Sequence, residues 1–369
     1  MKKLLSKVQR KMLAVGFMLV LAALTDCSLL SLQNGTSASL FAVDSKNGNV
    51  YEIDTEKAQS ASIPLVSIKQ NATGEMIVNG TKAFIAVGSY NNTSPGLYWF
   101  DLSSSSPSVQ KIGSNISAQY LCIASNNKGY VSTADYSGVY SNTVYGFNPS
   151  NPSAGLGSEV TGFDSGFYPQ DLVFADDGNE NGYVFVTDNA NSKVYRLNAA
   201  GTAVDLSFVT SSGGTTGLLP GSYDWDDNGS DDAGVFVANT GGYDTNWNAL
   251  PGSIDFIPLD ASSGNDIVSV QKDLSVARLT AFDKNHLVGT NYSQTWIIDL
   301  TKPENDSGRL AEVKSNGASF GSLDANAYGG YVYVPDGMQT VYRFDSDGMV
   351  TAISVGTSGE MITNVAVRE

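Results

Sequence analysis

The chain has 369 residues, of which 16% are charged, with 38 glycines, 18 tyrosines and a single histidine. Thirty-seven acidic side chains against 21 basic ones give a net charge of −16, a field that repels nucleic-acid phosphates and anionic lipid headgroups. Two cysteines exclude a disulfide framework, and one histidine excludes any multi-histidine metal site. Low charge, abundant Gly and Tyr and no long amphipathic helical stretch suit an all-β secreted protein with many turns.

Lys2, Lys3, Lys7, Arg10 and Lys11 precede an apolar run from Met12 to Leu24, the charged and hydrophobic regions of an export signal. The run is short for a membrane span. The predicted division is therefore a signal peptide over 1–26, a short linker over 27–36 and one domain over 37–369. Leu24-Thr25-Asp26-Cys27 resembles a bacterial lipobox, which implies that Cys27 is acylated and becomes the mature N-terminus. Asp26 stands where that motif has a small residue, so lipid anchoring in the cell envelope and plain secretion both stay open. Cleavage there removes five basic residues and one acidic residue, leaving the mature chain more acidic still.

From residue 40 onward one pattern recurs seven times. A short apolar run ends in Asp, Asn or a small residue: Leu40–Asp44, Ile85–Gly88, Tyr130–Asp135, Tyr183–Asp188, Val235–Asn239, Leu287–Asn291 and Tyr331–Asp336. The run ends lie 44 to 53 positions apart. Each run is followed by a partner: Val50–Asp54, Leu97–Asp101, Val144–Asn148, Val194–Asn198, Ile254–Ile257, Thr295–Asp299 and Val341–Asp345. Aromatic and β-branched residues fill both runs, with Gly, Asn and Ser between them, so each pair reads as a hairpin. Four strands per unit at this period predict an all-β, seven-bladed β-propeller of four-stranded antiparallel blades. Ser358–Asn364 repeats Thr73–Asn79, which predicts that the C-terminal strand closes the ring as the inner strand of the N-terminal blade and leaves no open sheet edge. Cys122, in Tyr120-Leu121-Cys122-Ile123, reads as a buried inner-strand residue.

Asp224-Trp225-Asp226-Asp227-Asn228-Gly229-Ser230-Asp231-Asp232 places oxygens at alternate positions around a glycine, the pattern by which one loop wraps a hard cation such as Ca²⁺. Asp224, Asp226 and Asn228 would give side-chain oxygens, Ser230 its carbonyl and Asp232 a closing carboxylate. The segment is similar to the FG-GAP calcium loops of integrin-type propellers and departs from an EF-hand, since Val235 stands where the closing Glu would be. A shorter echo at Asp177–Asn181 reads as a turn without metal.

Gly166–Gly178, Tyr183–Asp188 and Asn191–Asn198 resemble one blade of the YVTN or YncE-like β-propeller proteins, with a Pro-containing entry, an Asp-Gly turn, a Tyr-Val-Thr-Asp strand and an Asn-Ser-x-Val strand. The resemblance implies an exported bacterial propeller; its acidic surface departs from any nucleic-acid-binding member.

Three loops between second and third strands are longer than a hairpin needs: Gly88–Gly96, Asp135–Asn142 and Asn239–Gly252. Tyr90, Tyr136, Tyr140, Tyr243 and Trp247 lie in them beside Asn and Asp, a composition suited to sugar rings or a peptide. Glu75, Gln119, Gln170, Asp171, Arg278 and Glu360 enter inner strands and are expected at the mouth of the central channel, where Arg278 either binds an anion or neutralises the acids around it; Arg278 and Gln170 join the loop rings as candidate ligand-binding residues. The strand-ending Asp44, Asp135, Asp188, Asn239, Asn291 and Asp336 read as turn residues. His286 reads as a solvated turn residue with no nucleophile motif beside it. The function these features predict is a monomeric, extracytoplasmic binder of a protein, peptide or glycan. A lactonase-like hydrolase with a divalent ion at the channel mouth and a surface-layer or adhesion component are the alternatives.

Overall fold

The computed structural model describes residues 39–368 apart from 72, 126, 179–181 and 227. The predicted signal peptide, the linker and Cys27 lie outside the described residues. Seven antiparallel sheets follow one another along the chain, and the seven-bladed propeller is borne out. Blades 2 to 6 take their four strands in order, starting from inner strands Thr73–Asn79, Ala118–Ser125, Leu172–Asp176, Gly213–Tyr223 and Arg278–Asp283. Blade 7 starts at Asn326–Tyr328, after a small extra hairpin, Lys314–Ser315 with Ala318–Ser319. Blade 1 is composite: Leu40–Asp44 pairs with Asn49–Asp54 on one side and with the C-terminal strand Ile362–Val367 on the other. The seven inner strands touch their neighbours in a closed cycle, so the ring is complete.

The closing strand begins at Ile362 rather than at Ser358. Gly356 and Gly359 lie at φ +68° and +82°, which bends 356–361 into a turn before pairing starts. The only helical element among the described residues is a single 3₁₀ turn, Pro152–Ala154. His286 lies within the second strand of blade 6, as its first residue, where a turn was expected.

No blade has a core of its own. The apolar side chains gather into seven clusters, each lying between two adjacent blades. Strand alternation produces this: Phe41 and Val43 pack against blade 2, whereas Leu40 and Ala42 between them pack against blade 7. Because both faces are buried, the second strands read as continuous apolar runs, which is why they stood out in the sequence. Near the axis the inner strands approach closely enough to require glycine. A Cβ on Gly217 would lie 2.6 Å from the Ala277 carbonyl oxygen of the next blade.

Cations on the third strands add polar ties between blades. Arg196 of blade 4 stacks on Tyr183 and donates to the Leu259 and Ala261 carbonyls of blade 5 at 3.1 and 2.8 Å. Arg343 of blade 7 stacks on Tyr331 and donates to the Thr55 carbonyl of blade 1 at 2.7 Å, across the closure. Phe84 fills the core between blades 2 and 3, with its ring 5.3 Å from that of Phe147. Phe84→Ala is expected to lower unfolding free energy by about 3–5 kcal/mol, and Val209→Ala, at an exposed site, by less than about 0.5 kcal/mol. Equilibrium denaturation checks both, and equal losses would contradict cores placed between blades.

Candidate functional site

In a four-stranded blade of this order, the loops between second and third strands share one end of the ring with the loops that enter the inner strands. The hairpins between first and second strands lie at the other end. This topology sorts the candidate residues into a loop face with a channel mouth and an opposite face.

At the channel mouth four blades converge on Arg278, the first residue of the inner strand of blade 6. Its guanidinium forms a salt bridge with Asp171 of blade 4, donates through Nε to the Leu323 carbonyl at 3.0 Å, and lies over the Tyr120 ring of blade 3 at 4.5 Å. The acids around it also tie blades together through the backbone. Glu75 of blade 2 accepts from Leu121 N of blade 3 at 2.5 Å, Asp171 from Leu218 N of blade 5 at 2.8 Å, and Asp324 of blade 7 from Val365 N of blade 1 at 2.7 Å. The expectation that Arg278 neutralises its neighbours agrees with this geometry. Arg278 is buried, with Nη1 paired to Asp171 and Nε turned to the Leu323 carbonyl.

Three carboxylates crowd one guanidinium, and their proton affinity responds. Desolvation, then the Asp171 charge, pushes the Glu75 carboxyl up to about 8, against the pull of Arg278 and the Leu121 amide. Desolvation raises Asp324 to about 6, with Arg278 opposing. Asp171 is also raised by burial, offset in part by Arg278 and the Leu218 amide. Glu360 does not join this group. It accepts from Tyr51 Oη at 3.1 Å and Gln339 Nε2 at 3.0 Å, a position between blades 1 and 7. Gln119 points at the Ala134 carbonyl, 3.3 Å away, and Gln170 sits half-buried beside Asp171.

The loop face carries exposed rings. Tyr90, Tyr136, Tyr243 and Trp247 are 77%, 88%, 65% and 83% exposed, and Tyr292 of blade 6 joins them at 81%. Tyr140 is half-buried instead. Each ring stands on a loop pinned by one Asn or Asp side chain. Asn92 Nδ2 donates to the Gly88 and Asn71 carbonyls beneath Tyr90. Asp135 accepts from Ser137, Val139 and Tyr140 amides beneath Tyr136. Asp244 accepts from the Asn246 and Asn248 amides beneath Trp247, and Asn291 from the Ser293 and Gln294 amides beneath Tyr292. For Asp135, desolvation would raise the carboxyl, but hydrogen bonds from Ser137, Tyr140 and Ser89 outweigh it and bring it to about 2. Thus the strand-ending Asp135 and Asn291 serve the turns that carry rings, whereas the loop residues Asn92 and Asp244 do so in blades 2 and 5; Asn239, read as a turn residue, lies within its strand and donates to Ser253 Oγ and Asp255 Oδ2 instead. Tyr136 lies 4.5 Å from Tyr168, burial and Tyr136 raise the Tyr168 phenol with Tyr120 adding to the effect, and Tyr120 carries Arg278.

Tyr292, Tyr168, Tyr120 and Asp324 were not picked out from the sequence. Tyr292 sits in a short loop, where length gave no signal. Asp324 precedes the inner strand of blade 7 as Asp171 precedes that of blade 4, and aligning blade entries would have paired them.

The Asp224–Asp232 loop lies at the opposite end, in the first hairpin of blade 5. Asp224 accepts from the Asn228 and Gly229 amides, both at 3.0 Å, and Asn228 Oδ1 accepts from Ser230 N at 2.8 Å. Asn228 Nδ2 donates to Asp226 Oδ2 at 2.9 Å, and Gly229 lies at φ +85°. The side chains of Asp224, Asp226 and Asn228 therefore turn inward on one tight turn, while Asp232 already belongs to the second strand. Among the described residues no group of three or more His, Cys, Asp or Glu side chains is arranged to hold a metal. His286 Nδ1 pairs with Asp283 Oδ1 at 3.0 Å on the same end, and Cys122 is a buried free thiol facing Glu75 and Asp171 electrostatically.

No protein-family profile and no curated protein matches the chain. Solved structures do. A functionally unknown protein from Desulfotomaculum acetoxidans DSM 771 aligns at 12% identity and TM-score 0.59, covering 90% of this chain and 99% of that one. The Kuenenia stuttgartiensis hydrazine synthase aligns at 13% and 0.52 over 74% and 76%, and the computationally designed Ika8 protein at 13% and 0.54 over 91% and 92%. The likeness is one of fold. A family assignment to the YVTN or YncE-like group therefore stays a resemblance of motifs in blade 4.

The raised carboxyls make stability pH-dependent with a definite sign. Glu75 and Asp324 bind protons more tightly folded than unfolded, so their contribution is present at low pH and is lost as pH rises through about 6 and about 8. The thermal midpoint is expected to fall between about pH 5 and pH 8.5. Glu75→Gln, which keeps an oxygen for the Leu121 amide, should flatten that fall; an unchanged slope in the variant would rule out Glu75 as its source.

Proposed function

We propose that this chain is an exported binding propeller that engages a protein, peptide or glycan partner through the loop face, with the Asp224–Asp232 loop acting as a calcium staple on the opposite face. The observation that carries the reading is the set of five exposed rings on one face, each raised on a loop whose backbone is locked by an Asx side chain. A ring left in water costs solvation, and a pinned loop removes the entropy that binding would otherwise have to overcome. The acids at the channel mouth support a structural role over a metal-assisted hydrolytic one, because they are turned to backbone amides and to Arg278.

Export follows from the N-terminal pattern of basic and apolar residues, and lipidation from Cys27. Calcium would be held by Asp224, Asp226 and Asn228 side chains with the Ser230 carbonyl and Asp232. It would tie the first hairpin of blade 5 without reaching the loop face.

Two measurements test this. A Tyr136→Ala/Trp247→Asn double variant, at an unchanged thermal midpoint, should lose binding to whatever an array of glycans and peptides selects with the parent. Retained binding, or turnover of a lactone panel abolished by chelator, would replace the reading with another. For the staple, Ca²⁺ should raise the midpoint of the parent and not of Asp226→Ala; identical melting of the parent in Ca²⁺ and in chelator removes the metal from the account.

A further inference from the structure

We propose that the ligand of the loop face is a neutral polysaccharide, bound by two aromatic lobes on either side of blade 4; this rests on the loop-face reading above. The four ring-bearing loops belong to blades 2, 3, 5 and 6. Tyr90 and Tyr136 therefore stand on adjacent blades, as do Trp247 and Tyr292, and one blade without an exposed ring separates the pairs. Such spacing suits an extended ligand with repeated flat units.

Charge selects the chemistry. Across residues 88–95, 134–142, 240–252 and 291–294 the only ionisable acid or base side chains are Asp135 and Asp244. Both are spent. Asp135 accepts from Ser137 N and Oγ, Val139 N, Tyr140 N and Ser89 Oγ, and Asp244 from Asn246 N, Asn248 N and Asn248 Nδ2. These four loops thus present rings among Asn, Ser, Thr and Gln with no free charge of their own, and the charged groups beside them are already engaged, Lys111 with Ser94 and Asn115, Glu312 with Gln294 and Lys314, and Lys193 of the blade 4 loop with Asp164. A cationic or anionic segment would lose solvation there without gaining a counter-charge. A neutral sugar has what these loops match: an apolar C–H face for a ring and hydroxyls for amide and hydroxyl side chains. Asp224, Asp226, Asp231, Asp232, Asp283, Asp345 and Asp347 lie at the opposite end of the ring, away from these four loops.

The rings are also aimed in advance. Trp247 is held at φ +63°, outside the range a tryptophan usually adopts, by its amide donating to the Asp244 carbonyl at 3.0 Å; its ring lies 6.1 Å from that of Tyr243. Tyr136 leans on the half-buried Tyr168, 4.5 Å away, so a sugar stacked on Tyr136 would lie beside a second ring.

Full-length mature protein titrated with neutral hexose oligosaccharides of increasing length, and in parallel with charged oligosaccharides and charged peptides, decides the matter by calorimetry and by the part of the tryptophan fluorescence change that Trp247→Asn removes. Affinity for the neutral series should rise with length, change little between about 50 mM and 500 mM salt, and drop at least about tenfold in Trp247→Asn and in Tyr136→Ala separately. Asn is chosen at 247 because it tolerates a left-handed backbone. Binding only of charged ligands, weakened by salt and lost in the same variants, overturns the neutral polysaccharide and leaves the loop-face reading standing. Binding of neither class, or binding that ignores both variants while circular dichroism shows them folded, overturns both.

Discussion

Every other feature of this protein depends on apolar packing between blades. A four-stranded sheet whose two faces are both hydrophobic cannot bury either face by itself, and a row of such sheets always leaves two faces bare. Closing the row into a ring removes both. The seventh interface, formed by Leu40, Ala42, Tyr51 and Ile53 with Tyr333, Val341 and Ile353, is chemically like the other six, and Ile362 and Val365 from the far end of the chain complete it. Closure is thus the last repeat of a single interaction, brought about by placing the final strand in the first blade.

Bringing seven inner strands to one axis creates a second problem, since backbone amides at the inner edge have no strand beyond them. Carboxylates from Glu75, Asp171 and Asp324 reach across to amides of a neighbouring blade, and one arginine offsets part of the charge this gathers. The arrangement is costly, because three acids near one guanidinium cannot all ionise easily in a desolvated place. That is the cause of the raised proton affinities at Glu75 and Asp324. With its proton affinity raised, Glu75 takes up a proton more readily than a solvated carboxylate, and the protonated group still offers an oxygen to the Leu121 amide.

The blade pattern was legible because burial on both faces turns second and third strands into runs such as Tyr183–Asp188 and Val341–Asp345, which recur with the period of the fold. The channel mouth was half legible: entry positions could be named from the repeat, but not that Arg278 of blade 6 pairs with Asp171 of blade 4. Glu360 went to the seam between blades 1 and 7, since the turn set by Gly356 and Gly359 carries it toward Tyr51 and away from the axis. Tyr120 and Tyr168 were hidden for a different reason. Their partners, Arg278 and Tyr136, lie on other blades, and no local pattern marks a contact made between blades.

The same closure separates the exposed loop face from the parts that hold the fold together. Inter-blade cores and axial carboxylates hold the second and third strands at fixed angles, so a loop of a few residues between them has its ends set before it folds. One Asx side chain is then enough to fix the rest, as Asn92, Asp135, Asp244 and Asn291 do in four blades. The rings above them contribute nothing to the cores and are free to differ from blade to blade. Tyr90, Tyr136, Trp247 and Tyr292 depart from the repeat for that reason, and it is in these departures that a repeated scaffold of low charge acquires a face of its own.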